Sequence, residues 1–252
     1  MTSPAPMLEA SHLQRHFGGL RAVDDASLTL RVGELHALIG TNGAGKSTLI
    51  NLLSGELPLS SGSLSLNGQE ISRWSQAQRA RAGIGRSYQR STLFEAFSVW
   101  ENCRLAAQAA AQRPWQLWQS ARHCAHSSAR ADAALLATGL SALADRSAGL
   151  LSHGQKRQLE IAMCIATEPR VLLLDEPLAG MGAEETERML ALLMQLKQAH
   201  ALLLVEHDMD AVFRIADRIT VMVNGQVIAC DTPEKIRAHP AVRLAYLGQD
   251  HD

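Results

Sequence analysis

The sequence predicts an α/β fold: a parallel sheet core with an antiparallel β subdomain and an α-helical insert. Three observations carry this. Two continuous apolar runs, Val171-Leu172-Leu173-Leu174 and Leu202-Leu203-Leu204-Val205, each follow a helical stretch, as strands covered on both faces of a parallel sheet do. The early part of the chain holds short runs with hairpin signals. Between these two regions, glycine and β-branched residues give way to alanine, glutamine and arginine.

Taken in order, Met7 to Leu13, Ser27 to Val32, Leu35 to Ile39 and Gly62 to Asn67 read as strands, several with period-two alternation. Asn67-Gly68 and Asn224-Gly225 are hairpin turn signals. From about Phe97 to Thr138 the chain reads as helical, with Glu101 to Gln112 and Ser127 to Leu140 favoured by propensity. Pro114 breaks the first of these. Trp115 and Trp118 then share one face of any helix that follows, in local packing or against a partner. From Ser152 onward helices (Gly154 to Thr167, Ala183 to Ala199) alternate with the two apolar strands. Thr232-Pro233-Glu234 starts a further helix, with Thr as N-cap and Pro at the first helical position. The helical insert divides the sheet-forming parts. Residues 1–92 and 152–252 therefore form the core with its β subdomain, and 93–151 form the helical unit.

The chain has 252 residues and is 46% hydrophobic, enough to bury a sizeable core. Its 24 basic and 25 acidic residues nearly cancel, which argues against a dedicated nucleic-acid binder. Met1 to Pro6 hold no basic region followed by an apolar core, so a secretory signal is not expected, and no apolar run reaches the roughly 20 residues that span a bilayer. Cys103, Cys124, Cys164 and Cys230 are far apart and form no C-x-x-C pair. They read as buried or incidental thiols in a reducing cytosol.

The most informative stretch is Gly40-Thr41-Asn42-Gly43-Ala44-Gly45-Lys46-Ser47-Thr48. It fits G-x-x-x-x-G-K-[S/T], a loop that wraps nucleotide phosphates between a strand and a helix. The glycines let successive backbone amides of Asn42, Gly43, Ala44, Gly45 and Thr48 point at phosphate oxygens. Lys46 can reach the β- and γ-phosphates, and Ser47 can offer its hydroxyl to Mg²⁺. The positive end of the following helix adds to the site. Alone, this loop says only NTPase or kinase.

Further along, Asp175 and Glu176 stand at the carboxyl end of a buried strand, the edge where ligands bind in parallel sheets. Asp175 suits a Mg²⁺ shell. Glu176 suits polarising a water for in-line attack on a γ-phosphate. Leu151-Ser152-His153-Gly154-Gln155 precedes a helix and makes a second anion-binding device from Ser152, Gly154 and Gln155. One nucleotide hardly needs two such devices from one chain; two facing chains could use both. His207 follows the next strand, on the same edge. Gln89 ends a strand-like stretch and could join metal and water.

In this order the motifs resemble the ATP-binding subunit of ABC transporters over nearly the whole chain. The resemblance implies a P-loop NTPase (RecA-like) core and an ATPase coupled to transport, with ATP and Mg²⁺ as ligands. It implies that Phe17 stacks on adenine, that Gly40 to Thr48 is the Walker A loop and that Gln89 is the Q-loop residue. It further implies that Leu151 to Gln155 is the signature, Asp175 and Glu176 the Walker B end, and His207 the switch histidine. The catalytic set would be Glu176, His207 and Gln89, and the metal set Ser47, Gln89 and Asp175. Phe17-Gly18-Gly19-Leu20, Glu206-His207-Asp208-Met209 and Ala245-Tyr246-Leu247-Gly248 are similar to the larger ATPase of branched-chain amino acid importers. That group implies two permeases, a second ATPase subunit (a shorter paralogue or an identical chain), a periplasmic solute-binding protein and no nucleic acid. Its location would be peripheral, on the cytoplasmic face of the inner membrane.

Three positions depart from the pattern. Thr41 stands where proline is usual, and His153 where the signature has its first glycine. Gly182-Ala183 stand where the D-loop has Asp or Asn followed by Pro. Alternatives from the same motifs are the ATPase of a lipid or lipopolysaccharide exporter, or a soluble non-transport ABC ATPase.

Overall fold

The computed structural model describes residues 5–88, 93–111 and 125–247. Strands β1 (Leu8–Phe17) and β2 (Leu20–Leu30) form a long antiparallel hairpin. Strand β4 (Ser61–Leu66) joins the other edge of β1, and β5 (Gln69–Glu70) follows, giving the order β2-β1-β4-β5. Both β1 and β2 are longer than the alternation suggested. Asp25 takes a left-handed φ of 61° and His12 one of 53°, and the β1–β2 register shifts around Leu13. Bulges of this kind break period two, so the sequence hides the outer half of the hairpin.

The second sheet has six strands. They are β3 (Leu35–Gly40), β6 (Ile84–Arg86), β7 (Val171–Asp175), β8 (Ala201–Val205), β9 (Arg218–Val223) and β10 (Gln226–Asp231), in the order β10-β9-β3-β8-β7-β6. All neighbours are parallel except β9 and β10, whose hairpin turns at Asn224 (φ 50°) and Gly225 (φ 84°). The β4–β5 hairpin turns the same way at Asn67 and Gly68. Left-handed φ at both turn residues is what Asn-Gly supplies.

The apolar runs are buried on both faces, as their composition requires. Val171, Leu173, Leu203 and Val205 pack toward the antiparallel sheet and helix α1 (Lys46–Ser54). Leu172, Leu174, Leu202 and Leu204 pack against helix α6 (Ala183–Leu196). α6 ends sooner than the expected Ala199. Just beyond it, the Lys197 ammonium turns to the Asp217 carboxylate, 2.9 Å away.

The insert contributes α3 (Val99–Ala111) and α4 (Ala125–Ala137), packed on α5 (His153–Ala166) around Cys103, Ala107, Ala131 and Leu159. Pro114, Trp115, Trp118 and Cys124 lie outside the described residues. Burial pushes the Cys103 and Cys164 thiols up to about 12, so both are poor nucleophiles at neutral pH.

Three short helices pack beside β9 and β10: α7 (Met209–Ile215), α8 (Pro233–Ala238) and α9 (Pro240–Leu247). Thr232 and Pro233 take the predicted first positions of α8, but the Thr232 side chain makes no cap bond. Helix α2 (Gln76–Arg81) has no apolar stripe to announce it and is held by a capping box at Ser75 and Gln78.

Candidate functional site

The carboxyl ends of β3, β7 and β8 share one edge of the sheet, and the candidate residues follow directly from them. After β3 the loop curls into α1. Gly45 sits at the N-cap with φ 98°, and a Cβ there would collide with the Ala22 carbonyl oxygen. No residue with a side chain fits. The turn is closed by Ala44 N donating to Thr41 O (3.1 Å). That bond uses only backbone at Thr41, so the expected proline is dispensable.

Lys46 Nζ donates to Gly40 O (2.6 Å) and Thr41 O (3.1 Å). Burial lowers its pKa, and the charges of Glu176 and Asp175 work in the opposite sense. The ammonium is thus poised inside the loop, close to both acids. A cavity of about 500 Å³ opens above it, lined by Phe17, residues 42–48 and Glu176, together with Ala22, Asn224 and Gly225. Ala22 comes from β2, just after the family-like run Phe17 to Leu20. Asn224 and Gly225 come from the β9–β10 hairpin and were legible only as a turn signal. Phe17 is 44% exposed, and the Arg15 guanidinium lies 4.7 Å from its ring centroid.

Asp175 is buried at the end of β7. Its Oδ2 faces Arg86 Nη2 at 3.6 Å. Its Oδ1 is buried without a hydrogen-bond partner among the described residues. Burial raises its pKa, with Arg86 opposing. A buried carboxylate oxygen left unsatisfied is costly unless a donor or cation meets it. Hard-cation chemistry with Ser47 and phosphate oxygens fits that oxygen. Among the described residues no cluster of three His, Cys, Asp or Glu side chains forms a closed metal site.

Glu176 takes a left-handed backbone, φ 50°, and its N–H donates to Val205 O (2.9 Å). Strained φ at a non-glycine residue is characteristic of functional positions. His207 follows β8 with its side chain 65% exposed, and it does not line the phosphate-loop cavity. Gln89 lies outside the described residues.

The sequence places Glu206 within a family-like run but gives it no role. Its carboxylate is 1% exposed; Oε1 accepts from Leu178 N (2.9 Å) and Oε2 from His207 N (3.2 Å). Burial raises its pKa, and the two backbone bonds oppose that shift. Glu206 thus ties the segment just after Glu176 to the backbone of His207.

Ser152, Gly154 and Gln155 lie elsewhere, at the N-terminus of α5. They line a separate cavity of about 500 Å³ shared with Glu185 and Arg188. Ser152 and Gln155 form a capping box: Gln155 N donates to Ser152 Oγ (3.2 Å), and Ser152 N donates to Gln155 Oε1 (3.0 Å). The two candidate anion-binding segments therefore line different cavities.

Residues 23–179 match the ABC transporter family model. The chain belongs to the ABC transporter ATP-binding proteins. A second model, the branched-chain amino acid ATP-binding cassette transporter, matches residues 226–252. The chain is 39% identical to the high-affinity branched-chain amino acid transport ATP-binding protein BraF of Pseudomonas aeruginosa, over 97% of this chain and 98% of that protein. It is 40% identical to LivG of Salmonella typhimurium, with the same coverage. Among solved structures, a nucleotide-free ATP-binding cassette from an ABC transporter aligns with TM-score 0.86 and 29% identity, covering 97% of this chain and 100% of that one. The ADP conformation of an ATP-binding cassette aligns with TM-score 0.86 and 28% identity, over 97% of this chain and 100% of that one. This ABC chain is thus an ATP-binding and ATP-hydrolysing subunit on a P-loop NTPase fold. Among its described residues, no helix is long and apolar enough to cross a membrane.

Proposed function

We propose that this subunit powers import of branched-chain amino acids or related small polar solutes, working as one half of a facing pair of ATPase chains. The observation that carries the pairing is the separation of the phosphate-loop cavity from the Ser152–Gln155 device within one chain. Each nucleotide is then held by Lys46 and the loop of one chain and by the signature of the other. The cargo class rests on the BraF and LivG relatives and on the match of residues 226–252.

In this reading Phe17 stacks on adenine, and the amides of residues 42–48 with Lys46 hold the phosphates. Glu176 orients the attacking water and takes its proton, while His207 contacts the γ-phosphate region as the dimer closes. Ser47 and Asp175, with Gln89, would hold a magnesium ion, which when bound neutralises phosphate charge. Residues 1–92 and 152–252 act as the nucleotide-binding core and 93–151 as the helical unit.

That unit meets two permease subunits at the membrane. A mainly apolar groove of about 390 Å³, lined by Ile84, Tyr88, Ala106, Ala109 and Met163, and the exposed, stacked pair Phe94 and Phe97 support that docking. The second ATPase, different or identical, and a periplasmic binding protein complete the system.

Purification of the tagged protein from its membranes, with identification of what accompanies it, tests the assembly. Glu176→Gln tests the chemistry: ATP binding is retained, turnover is lost and the ATP-bound pair accumulates. Steady hydrolysis at the wild-type rate by this variant removes Glu176 from the role.

A further inference from the structure

We propose that Glu185 is a built-in competitor for the phosphate that Ser152 and Gly154 are placed to receive, so that closure of the ATPase pair requires its carboxylate to withdraw. The inference rests on the facing-pair reading above.

The geometry is specific. Ser152 Oγ donates its single proton to Glu185 Oε1 at 2.9 Å. A serine hydroxyl so engaged cannot also donate to a phosphate oxygen. Gly154 is covered by the same side chain. A Cβ on Gly154 would lie 2.6 Å from Glu185 Cδ and 2.7 Å from its Oε1. The carboxylate therefore rests on Ser152 and Gly154 at once.

The electrostatics explain why it rests there. The positive N-terminal end of α5 attracts an anion, yet the first turn of α5 contains no acidic residue of its own. Glu185, in the first turn of α6, supplies the negative charge from outside. An arriving γ-phosphate needs the same hydroxyl and the same dipole, and it carries a charge of the same sign. Both cannot occupy the site at full strength.

A second tie ensures that this competition involves the loop after Glu176. His153 Nε2 donates to Ala179 O at 3.0 Å. Ala179 lies between Glu176 and the start of α6, so the signature grips the segment leading to Glu185 at both ends.

The substitution Glu185→Gln keeps an acceptor oxygen for Ser152 while losing the charge, and that makes the test discriminating. The probe is Mg-ATP retained by the intact transporter carrying Glu176→Gln, measured across an ATP titration after rapid gel filtration. Adding Glu185→Gln should lower the half-saturating ATP concentration about twofold to fivefold, the size expected for one partly exposed like-charge contact. Glu185→Asp, which keeps the charge on a shorter stem, should stay closer to the parent than Glu185→Gln does. A midpoint that is unchanged or raised by Glu185→Gln overturns the proposal. Ser152→Ala in the same background separates the two readings. If it raises the midpoint while Glu185→Gln does nothing, the facing pair stands and the competitor falls. If it leaves the midpoint unchanged, the assignment of Ser152 to the facing nucleotide falls, and the competitor with it.

Discussion

Replacing Arg79 by methionine should destabilise the protein by about 2–4 kcal/mol, although Arg79 lies in no motif and touches no candidate ligand. The side chain is 1% exposed. Its Nη1 donates to Leu52 O (2.5 Å) and Leu53 O (3.0 Å), its Nη2 to Ser72 O (3.0 Å) and its Nε to Trp74 O (3.2 Å). Two of these carbonyls close the C-terminal end of α1, the helix that carries Lys46 and Ser47. Orphan carbonyls and the negative end of the helix dipole both favour a cation there. Four bonds at about 1 kcal/mol net each, with some carbonyls left dry after substitution, set the gross loss at about 4–6 kcal/mol. Against that stands the cost of burying a guanidinium; burial indeed lowers the Arg79 pKa. Methionine recovers that desolvation and much of the packing, which brings the net loss down to the range given. Urea unfolding measures it, and a fall in Tm of roughly 5–15 °C should accompany it in a chain of this size. Arg79→Lys should retain part of the stability, because one ammonium cannot reach all four acceptors. If Arg79→Met is as stable as the parent, burying the guanidinium costs as much as its four bonds return, and Arg79 does not stabilise the end of α1.

Glu206→Gln removes an acceptor from one of two backbone N–H groups, at Leu178 or His207. It should lower kcat about tenfold or more while leaving the Kd for ATP within about threefold, since neither residue lines the phosphate-loop cavity; equal losses in both would assign Glu206 to stability alone. His36 is buried between Thr29 O (3.1 Å from Nδ1) and Thr220 Oγ1 (2.7 Å from Nε2), and burial lowers its pKa from 6.5 to about 4. The unfolded chain therefore binds a proton that the native chain refuses. This contribution to stability is complete above about pH 6.5 and is lost as pH falls toward 4. His36→Gln should flatten the stability curve between about pH 7 and pH 5 by about 2 kcal/mol, and parallel curves for variant and parent in urea titrations would falsify the assignment.

What the sequence disclosed and what it hid follow from the range of the interactions. The strands Val171 to Leu174 and Leu202 to Val205 were legible because burial on both faces leaves an unbroken apolar run. The phosphate loop was legible because Gly45 is forced by its own backbone and by Ala22. Glu206, Glu185 and Arg79 were not legible, because each takes its meaning from a partner distant in sequence. Glu185 meets Ser152 across 33 positions, and Arg79 meets the end of α1 across 26 and 27. Read locally, Gln76-Ala77-Gln78-Arg79 is a polar surface turn, and nothing in it reports four carbonyls waiting. His36 stands within the run Leu35 to Ile39, read only as a strand; its hydroxyl partner lies 184 residues away.

His153, one departure from the family pattern, bonds the loop that leads to Gly182, the other, which changes how each should be weighed. Gly182 has φ −75° and ψ 166°, and a Cβ there would meet nothing within 4 Å. Its conformation therefore does not demand glycine, and an aspartate would fit. What the chain gives up is the side-chain cap on α6, which Gly182 does not supply. Relative to an acidic or amide cap, glycine costs only a few tenths of a kcal/mol, and Glu184 and Glu185 in the first turn favour the same helix end. The larger issue is the polar contact by which this loop is held. Here His153, the residue standing in place of the first signature glycine, reaches across 26 positions to the Ala179 carbonyl. A glycine could not make that bond. The substitution that looks like damage to the signature thus supplies, from the opposite side, a grip on a loop that has lost its own polar side chain. Amide hydrogen exchange over residues 178–182 should therefore speed up in His153→Gly by more than it slows in Gly182→Asp. The reverse order would place the hold on this loop somewhere other than His153.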